Sequence, residues 1–210
     1  MSEPGESSAH HLMARPGVQR FPSPRLELFT VRSFLNAAEC DALVTRIEAE
    51  RMPSTIADAN GDNTFRTSET CHFSLDDPVT QALEYQLHAL NGIAVVHGEP
   101  LQGQRYEVGQ EFKTHTDFFD PWGADYERFC AGPGQRTWTF MIYLNDVAAG
   151  GATRFKAIDK TVQPERGKLL CWNNRLADGT VNPATLHHAM KVRKGHKYVI
   201  TKWYRERPWE

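Results

Sequence analysis

The chain has 210 residues, enough for one domain with a substantial core. Apolar residues make up 40%, charged residues 24%, and the formal net charge is -2, which gives no electrostatic reason to expect nucleic acid or an acidic membrane as partner. No apolar run approaches the length that spans a bilayer.

In chain order, residues 1–24 (MSEPGESSAHHLMARPGVQRFPSP) lack the continuous apolar segment of a signal peptide and read as a flexible tail, in which His10 and His11 are inert. Residues 25–210 form one domain, with helical support over 34–92 and a strand-rich core over 101–206. The segment NAAECDALVTRIEAER predicts a helix: Asn36 is a good N-cap, Glu39 completes a capping-box pattern, and Leu43, Val44 and Ile47 form an apolar stripe. A second helix follows in DDPVTQALEYQLHALNG, capped by Asp77, with Pro78 in its first turn and Gly92 at its stop. TIADANGDNTFRTSET between them has loop composition. Cys40, Cys71, Cys130 and Cys171 are widely spaced, with no CxxC pair, so neither a disulfide framework nor a zinc site is expected and a reducing cytoplasm is the simpler setting.

From Leu101 the character changes to short strands: LQGQRYEV, EFKTHTDFF, RTWTFMIYLND, ATRFK, GKLLCWN, TLHHAMKV and HKYVITKWYRE, separated by turns rich in Gly, Pro, Asp and Asn. This pattern predicts a barrel or double-sheet jelly roll with the helices on one outer face. The insert DPWGADYERFCAGPGQ mixes aromatic and charged residues and reads as a lid or substrate loop.

Strand alternation puts His115 and Asp117 on one face. An imidazole and a carboxylate suit Fe(II), Mn(II) or Zn(II), but a tight site needs a third ligand. His187, His188 and His196 are the downstream candidates, and periodicity does not choose between His187 and His188. His97-Gly98-Glu99 is a weaker competitor in a turn. Lys197, Val199, Thr201 and Trp203 share one face of the last strand, and a lysine inside a barrel is costly unless it meets an anion. Two histidines, a carboxylate and a cation describe an open metal site holding an anionic cosubstrate, the facial triad of non-haem Fe(II) oxygenases.

From QRYEVGQEFKTHTDFF through TFMIYLNDVAAGGATRF, GKLLCWNN and LHHAMKVRKGHKYVITKWYRERPW, roughly Arg66 to Trp209, the chain resembles the 2-oxoglutarate and Fe(II)-dependent dioxygenases, most of all their prolyl 4-hydroxylase-like branch. In that pattern the distal histidine follows a leucine and precedes a lysine by ten positions, which fits His187 and Lys197 and not His188. The resemblance implies a mainly β fold with flanking helices, a double-stranded β-helix (jelly-roll) core packed against N-terminal helices. It implies His115, Asp117 and His187 as metal ligands and catalytic centre. Lys197 would meet the distal carboxylate of 2-oxoglutarate, with Tyr106 and Thr139 near the same cosubstrate. Tyr143 is either a further pocket residue or a core hydroxyl bonded locally. Trp172 and Trp203 match pocket walls, and Arg136 and the segment Arg66–Ser68 match substrate-side positions.

The implied cofactor is Fe(II), with 2-oxoglutarate and O2 as cosubstrates and ascorbate as a further candidate. The implied reaction hydroxylates an unactivated C–H, most of all of a peptidyl-proline in a peptide or protein, with release of succinate and CO2. A free amino acid or other small molecule is the alternative substrate. A cupin-like metal barrel without oxygenase activity is a competing reading, as is a noncatalytic interaction domain. Ala152, Cys171 and Lys191 depart from the family pattern at positions that are not ligands, which bears on the substrate more than on the iron chemistry.

Overall fold

A computed structural model of the protein describes residues 4–54 and 65–209. Most of the loop expected over 55–70 therefore lies outside the described residues. Four helices occur among the described residues: α1 (Pro4–Met13), α2 (Ala37–Glu50), α3 (Pro78–Asn91) and the short α4 (Tyr126–Cys130). The strands are β1 (Val18–Arg20), β2 (Leu28–Val31), β3 (Met52–Pro53), β4 (Glu69–His72), β5 (Gln102–Tyr106), β6 (Phe112–His115), β7 (Arg136–Tyr143), β8 (Ala149–Gly150), β9 (Thr153–Phe155), β10 (Lys160–Val162), β11 (Leu169–Asn173), β12 (His187–Ala189), β13 (Val192–Lys194) and β14 (Lys197–Arg205). They build an eight-stranded sheet ordered β1-β2-β11-β7-β14-β5-β4-β3, a four-stranded sheet ordered β10-β9-β12-β6, and the pair β13-β8.

The helices begin and end where their capping residues stand. Asn36 accepts from the Glu39 backbone, while the Glu39 carboxylate accepts from the Asn36 N–H at 2.7 Å, closing the box on α2. Asp77 accepts from Val79 N, Pro78 fills the first turn of α3, and Gly92 stops it in the left-handed conformation at φ 72°. Both helices lie on the outer face of the large sheet, where Leu43, Ile47, Leu83 and Leu87 join Trp138, Phe140, Ile142 and Ile200 in one core. The approach is close enough that a Cβ on Gly103 of β5 would collide with Ile47.

β7 reads TWTFMIY because both of its faces are buried. Trp138, Phe140 and Ile142 face the helices, while Met141 and Tyr143 join Phe155, Leu170, Trp172 and Val199 in a second core between the sheets. β14 divides in the same way, with Ile200 and Tyr204 in the helix-side core and Val199 in the inner one. This is the expected jelly roll packed against helices.

The N-terminal segment departs from the expected tail. Residues 4–13 form α1, which buries Ala9 and Leu12 and packs against α3, and Arg15 donates to the Ala89 carbonyl at 2.7 Å. β1 then pairs with β2 at the edge of the large sheet. The buried Ala9 and Leu12, Val18 and Phe21 packed against the two cores, and one edge pairing order a segment whose composition is mostly polar. No helix among the described residues is long and apolar enough to cross a membrane.

Candidate active site

The inner faces of the two sheets enclose a pocket whose lining includes Tyr106, His115, Asp117, His187, Lys197 and Trp203. β6 ends at His115, shorter than the strand expected through residue 119, and Asp117 sits in the bend that follows. The two side chains still meet, with His115 Nε2 3.8 Å from Asp117 Oδ1. His187 opens β12 and stands opposite His115 in the β6–β12 ladder, which brings the ring centroids to 4.2 Å. One ligand atom from each of His115, Asp117 and His187 lies within 4.8 Å of the others.

The remaining histidines are engaged elsewhere. His188 turns away and bonds Glu111 at 2.8 Å. His196 lies 3.3 Å from Glu107 on the surface, and His97 meets the Arg205 carbonyl at 3.2 Å. Glu99, its partner in the weaker motif, is taken by arginines.

Backbone carbonyls fix the tautomers of the two clustered histidines. His115 Nδ1 lies 2.7 Å from the Lys113 carbonyl, and His187 Nδ1 lies 2.9 Å from that of Thr185. A carbonyl only accepts, so each Nδ1 carries the proton and each Nε2 keeps its lone pair for the centre of the cluster. Burial, followed by the charge of the neighbouring His187, pushes the His115 pKa down to about 3, and burial likewise lowers that of His187. Burial alone would raise the carboxyl of Asp117. His187, His115, Arg136 and the Thr139 hydroxyl outweigh it and hold the group below the ordinary carboxylate range. Two neutral imidazoles beside an ionised carboxylate form the protonation state a divalent cation requires.

At the far side of the pocket Lys197 is 1% exposed, and its Nζ has no hydrogen-bond partner among the described residues. Burial lowers its pKa from 10.5 to about 7. The ammonium stands 5.1 Å from the Tyr106 ring and 5.5 Å from the Tyr143 ring. Tyr106 is the cross-strand partner of Lys197. Tyr143 donates to Thr153 Oγ1 at 2.7 Å, so its hydroxyl is satisfied inside the core. The indole nitrogens of Trp172 and Trp203, both pocket-lining residues, also lack hydrogen-bond partners among the described residues.

Two expected contacts are placed differently. Thr139 points inward, but its hydroxyl donates to Asp117 Oδ2 at 2.7 Å and it is not among the pocket-lining residues. Arg136, expected at a substrate entrance, is half-buried and forks onto Glu99 at 2.6 and 2.7 Å, while its third nitrogen donates to the Asp117 carbonyl at 3.2 Å. By contrast, Arg66 lines the pocket, and its guanidinium lies over Phe112, whose ring stacks on His115 at 3.5 Å.

Residues 101–205 match the family model described as 2OG-Fe(II) oxygenase superfamily. A probable prolyl 4-hydroxylase 9 of Arabidopsis thaliana is 31% identical over 203 residues, 85% of this chain and 68% of that protein. The chain belongs to the 2OG-Fe(II) oxygenase superfamily, in its prolyl 4-hydroxylase-like branch. Among solved structures, the 2OG complex of the viral collagen prolyl hydroxylase from Paramecium Bursaria Chlorella virus-1 superposes with a TM-score of 0.67 at 23% identity, covering 85% of this chain and 95% of that one. A prolyl hydroxylase from Trichoplax adhaerens, bound to a hypoxia inducible factor oxygen degradation domain peptide fragment, superposes at 0.62 with 15% identity, covering 96% and 89%. These superpositions concern the fold.

Fe(II) and 2-oxoglutarate are the metal and cosubstrate of this superfamily, and the donor set fits both. Two Nε2 lone pairs and a carboxylate suit the metal, and an unpartnered buried ammonium suits a dicarboxylate. Sequence reading missed Asn174 and took Glu99 only as part of a weaker metal motif. Glu99 holds Arg136 and Arg205 together from inside a turn, and Asn174 donates to Thr139 Oγ1 at 2.9 Å from the end of β11. Neither has a local pattern that distinguishes it from a surface polar residue.

The insert after Asp117 carries α4 and is tied down at its base, where the Gln135 side chain bonds both the N–H and the carbonyl of Phe119. Arg207 donates to the Cys130, Ala131 and Gly132 carbonyls at its far end. Between these anchors Trp122 is 94% exposed.

Proposed function

We propose that the protein is an Fe(II)- and 2-oxoglutarate-dependent dioxygenase that hydroxylates a prolyl residue of a peptide or protein. One observation carries this reading. A single pocket holds a two-imidazole, one-carboxylate cluster and, apart from it, a buried ammonium with no hydrogen-bond partner among the described residues. A metal-binding barrel without oxygenase activity has use for the first and none for the second. A buried cation without a counter-charge is too costly to keep unless an anion visits it.

His115, Asp117 and His187 would hold the metal. Bound there, the iron with 2-oxoglutarate and O2 would supply the oxidative chemistry: 2-oxoglutarate is oxidised to succinate and CO2, one atom of O2 entering succinate and the other turning a substrate C–H into an alcohol. The protein binds, orients and excludes water. Lys197 receives the distal carboxylate, and the surrounding Tyr106, Met141, Trp172 and Val199 make a low-dielectric wall in which that ion pair is stronger than in water. The Nδ1–H bonds to Lys113 and Thr185 keep both imidazoles aimed at the centre.

The prolyl substrate is supported by the names of the relatives, and a peptide by the bound fragment in the Trichoplax adhaerens enzyme. Arg66 and Trp203 in the pocket and Trp122 on the insert are the residues we assign to substrate. The cytoplasmic setting stays part of the proposal, in keeping with Cys40, Cys71, Cys130 and Cys171 as buried free thiols.

The test is aerobic turnover with Fe(II), 2-oxoglutarate and proline-containing peptides. The expected result is one succinate per peptide and a gain of one oxygen atom on proline, located by fragmentation mass spectrometry. Succinate release stimulated by a free amino acid but by no peptide would move the substrate to small molecules. No 2-oxoglutarate-dependent turnover and no 2-oxoglutarate binding would overturn the proposal.

A further inference from the structure

Asp117 is not positioned by the metal cluster alone. Its Oδ2 accepts from Thr139 Oγ1 at 2.7 Å, and Thr139 Oγ1 in turn accepts from Asn174 Nδ2 at 2.9 Å. Asp117 is 6% exposed, and Thr139 and Asn174 are 0% exposed. The direction of this relay is forced. An ionised carboxylate only accepts, so the threonine must spend its one proton on Asp117, and whatever else meets its oxygen must donate. Only the amide nitrogen of Asn174 can do that. Turning the amide over would set two acceptors against one proton.

The orientation leaves a trace. Asn174 Oδ1 is buried with no hydrogen-bond partner among the described residues, the sort of orphan that folded proteins rarely keep without a purpose. Main-chain bonds aim the side chain: Asn174 N–H donates to the Thr137 carbonyl at 2.7 Å, and its own carbonyl accepts from Asn182 N–H at 2.8 Å. Its place at the end of β11, beside β7, points the amide across at Thr139.

We infer that Asn174 is a positioning residue for the metal-facing carboxylate, acting through Thr139 to commit one oxygen of Asp117 to the protein and leave the other to the metal. The inference rests on the reading of His115, Asp117 and His187 as a metal site. Oδ2 is engaged by the relay, while Oδ1 is the oxygen 3.8 Å from His115 Nε2. With Oδ2 restrained, Asp117 offers one ligand atom. Without the relay it is free to turn, present both oxygens or swing out of line, and outer partners of this kind typically tune metal affinity by about 10–100-fold.

The test is Mn(II) binding to the metal-free protein, followed by calorimetry and by the Mn(II) paramagnetic resonance signal, with unfolding of the metal-free forms measured beside it. Asn174→Leu should weaken Mn(II) binding by about tenfold or more while leaving the metal-free protein no less stable, because leucine also removes the orphaned carbonyl. Thr139→Val should weaken binding at least as much, and Thr139→Ser, which keeps the hydroxyl, should restore it. The double variant Asn174→Leu/Thr139→Val should be no worse than Thr139→Val alone, because Asn174 reaches Asp117 only through that hydroxyl.

A role in packing alone predicts losses that multiply, together with lower stability. If Asn174→Leu does not fold, Asn174→Ser and the threonine pair carry the same comparison. Binding by the Asn174 variants within about twofold of wild type, or losses that multiply in the double variant, would overturn the inference and leave the metal site standing. Wild-type protein that binds no divalent metal overturns the metal site and this inference with it.

Discussion

Replacing Lys197 by methionine keeps most of the length of the side chain and deletes its charge, and the structure fixes the sign of two separate effects. Burial brings the lysine from 10.5 down to about 7. Keeping it charged in the empty pocket therefore costs roughly 5 kcal/mol relative to water. This is a base whose folded-state pKa is depressed, so the unfolded chain binds more protons between pH 7 and 10.5. Across that window wild-type stability rises with pH, and below pH 7 the full penalty is present. A methionine side chain at this position carries no such penalty.

The metal-free Lys197→Met protein should therefore be more stable than wild type by up to roughly 5 kcal/mol at pH 6, with the gap closing as the pH approaches 10. Binding moves the other way. A distal carboxylate brought into the pocket without its cation is a buried, unpaired charge, worth about 3–5 kcal/mol, or roughly 10²–10³-fold in Kd or more. Denaturant unfolding at pH 6 and pH 9, and anaerobic calorimetric titration of 2-oxoglutarate into the metal-loaded proteins, measure the two effects. A methionine variant that binds 2-oxoglutarate within a few-fold of wild type, or that is less stable at pH 6, would refute the assignment of Lys197 to the anion.

The same pKa sets a pH dependence for wild type. The charged lysine is the binding form, so above pH 7 binding must take up a proton, and Kd should weaken by up to about tenfold per pH unit. A flat profile between pH 6.5 and 8.5 would contradict this. His187→Ala should abolish Mn(II) binding and His188→Ala should leave it, because the His188 ring is spent on Glu111 at 2.8 Å; equilibrium dialysis with metal analysis decides between them. Glu99→Gln removes the counter-charge of two guanidiniums, the half-buried Arg136 and the buried Arg205, and should destabilise the fold by about 3–5 kcal/mol in denaturant unfolding. Trp122→Ala should raise the KM for a peptide substrate while the Kd for 2-oxoglutarate stays unchanged; an unaltered KM would remove the insert from the substrate path.

What the sequence made legible follows from how local each signal is. Both main helices were readable to within a residue because Asn36, Glu39, Asp77 and Gly92 act on backbone groups a few positions away. β7 and β14 were readable because long apolar or alternating runs survive any tertiary context. β2, β4 and β10 escaped because three or four residues without a strong period carry too little information, and β2 and β4 pair with β11 and β5, far off in sequence. α1 escaped for the opposite reason. Its order comes from a few buried contacts with α3 and none of it from composition.

The site divides along the same line. Periodicity could put Lys197 on one face with Val199, Thr201 and Trp203 but could not choose between His187 and His188, because that choice depends on which face of a three-residue strand meets β6. Spacing within the family pattern, ten residues from histidine to lysine, carried that information instead. Asp117 shows the limit of strand logic. It faces His115 although the strand has already ended, and it is held there from outside the motif, by the Arg136 donor on its carbonyl and the Thr139 hydroxyl on its carboxylate. Both of those residues lie on β7, some twenty positions on, and their own partners, Glu99 and Asn174, come from a turn before the motif and from the end of a later strand. The ligands of such a site can be read from a short stretch of sequence. The groups that decide which oxygen faces the metal cannot, because the fold assembles them from three distant places.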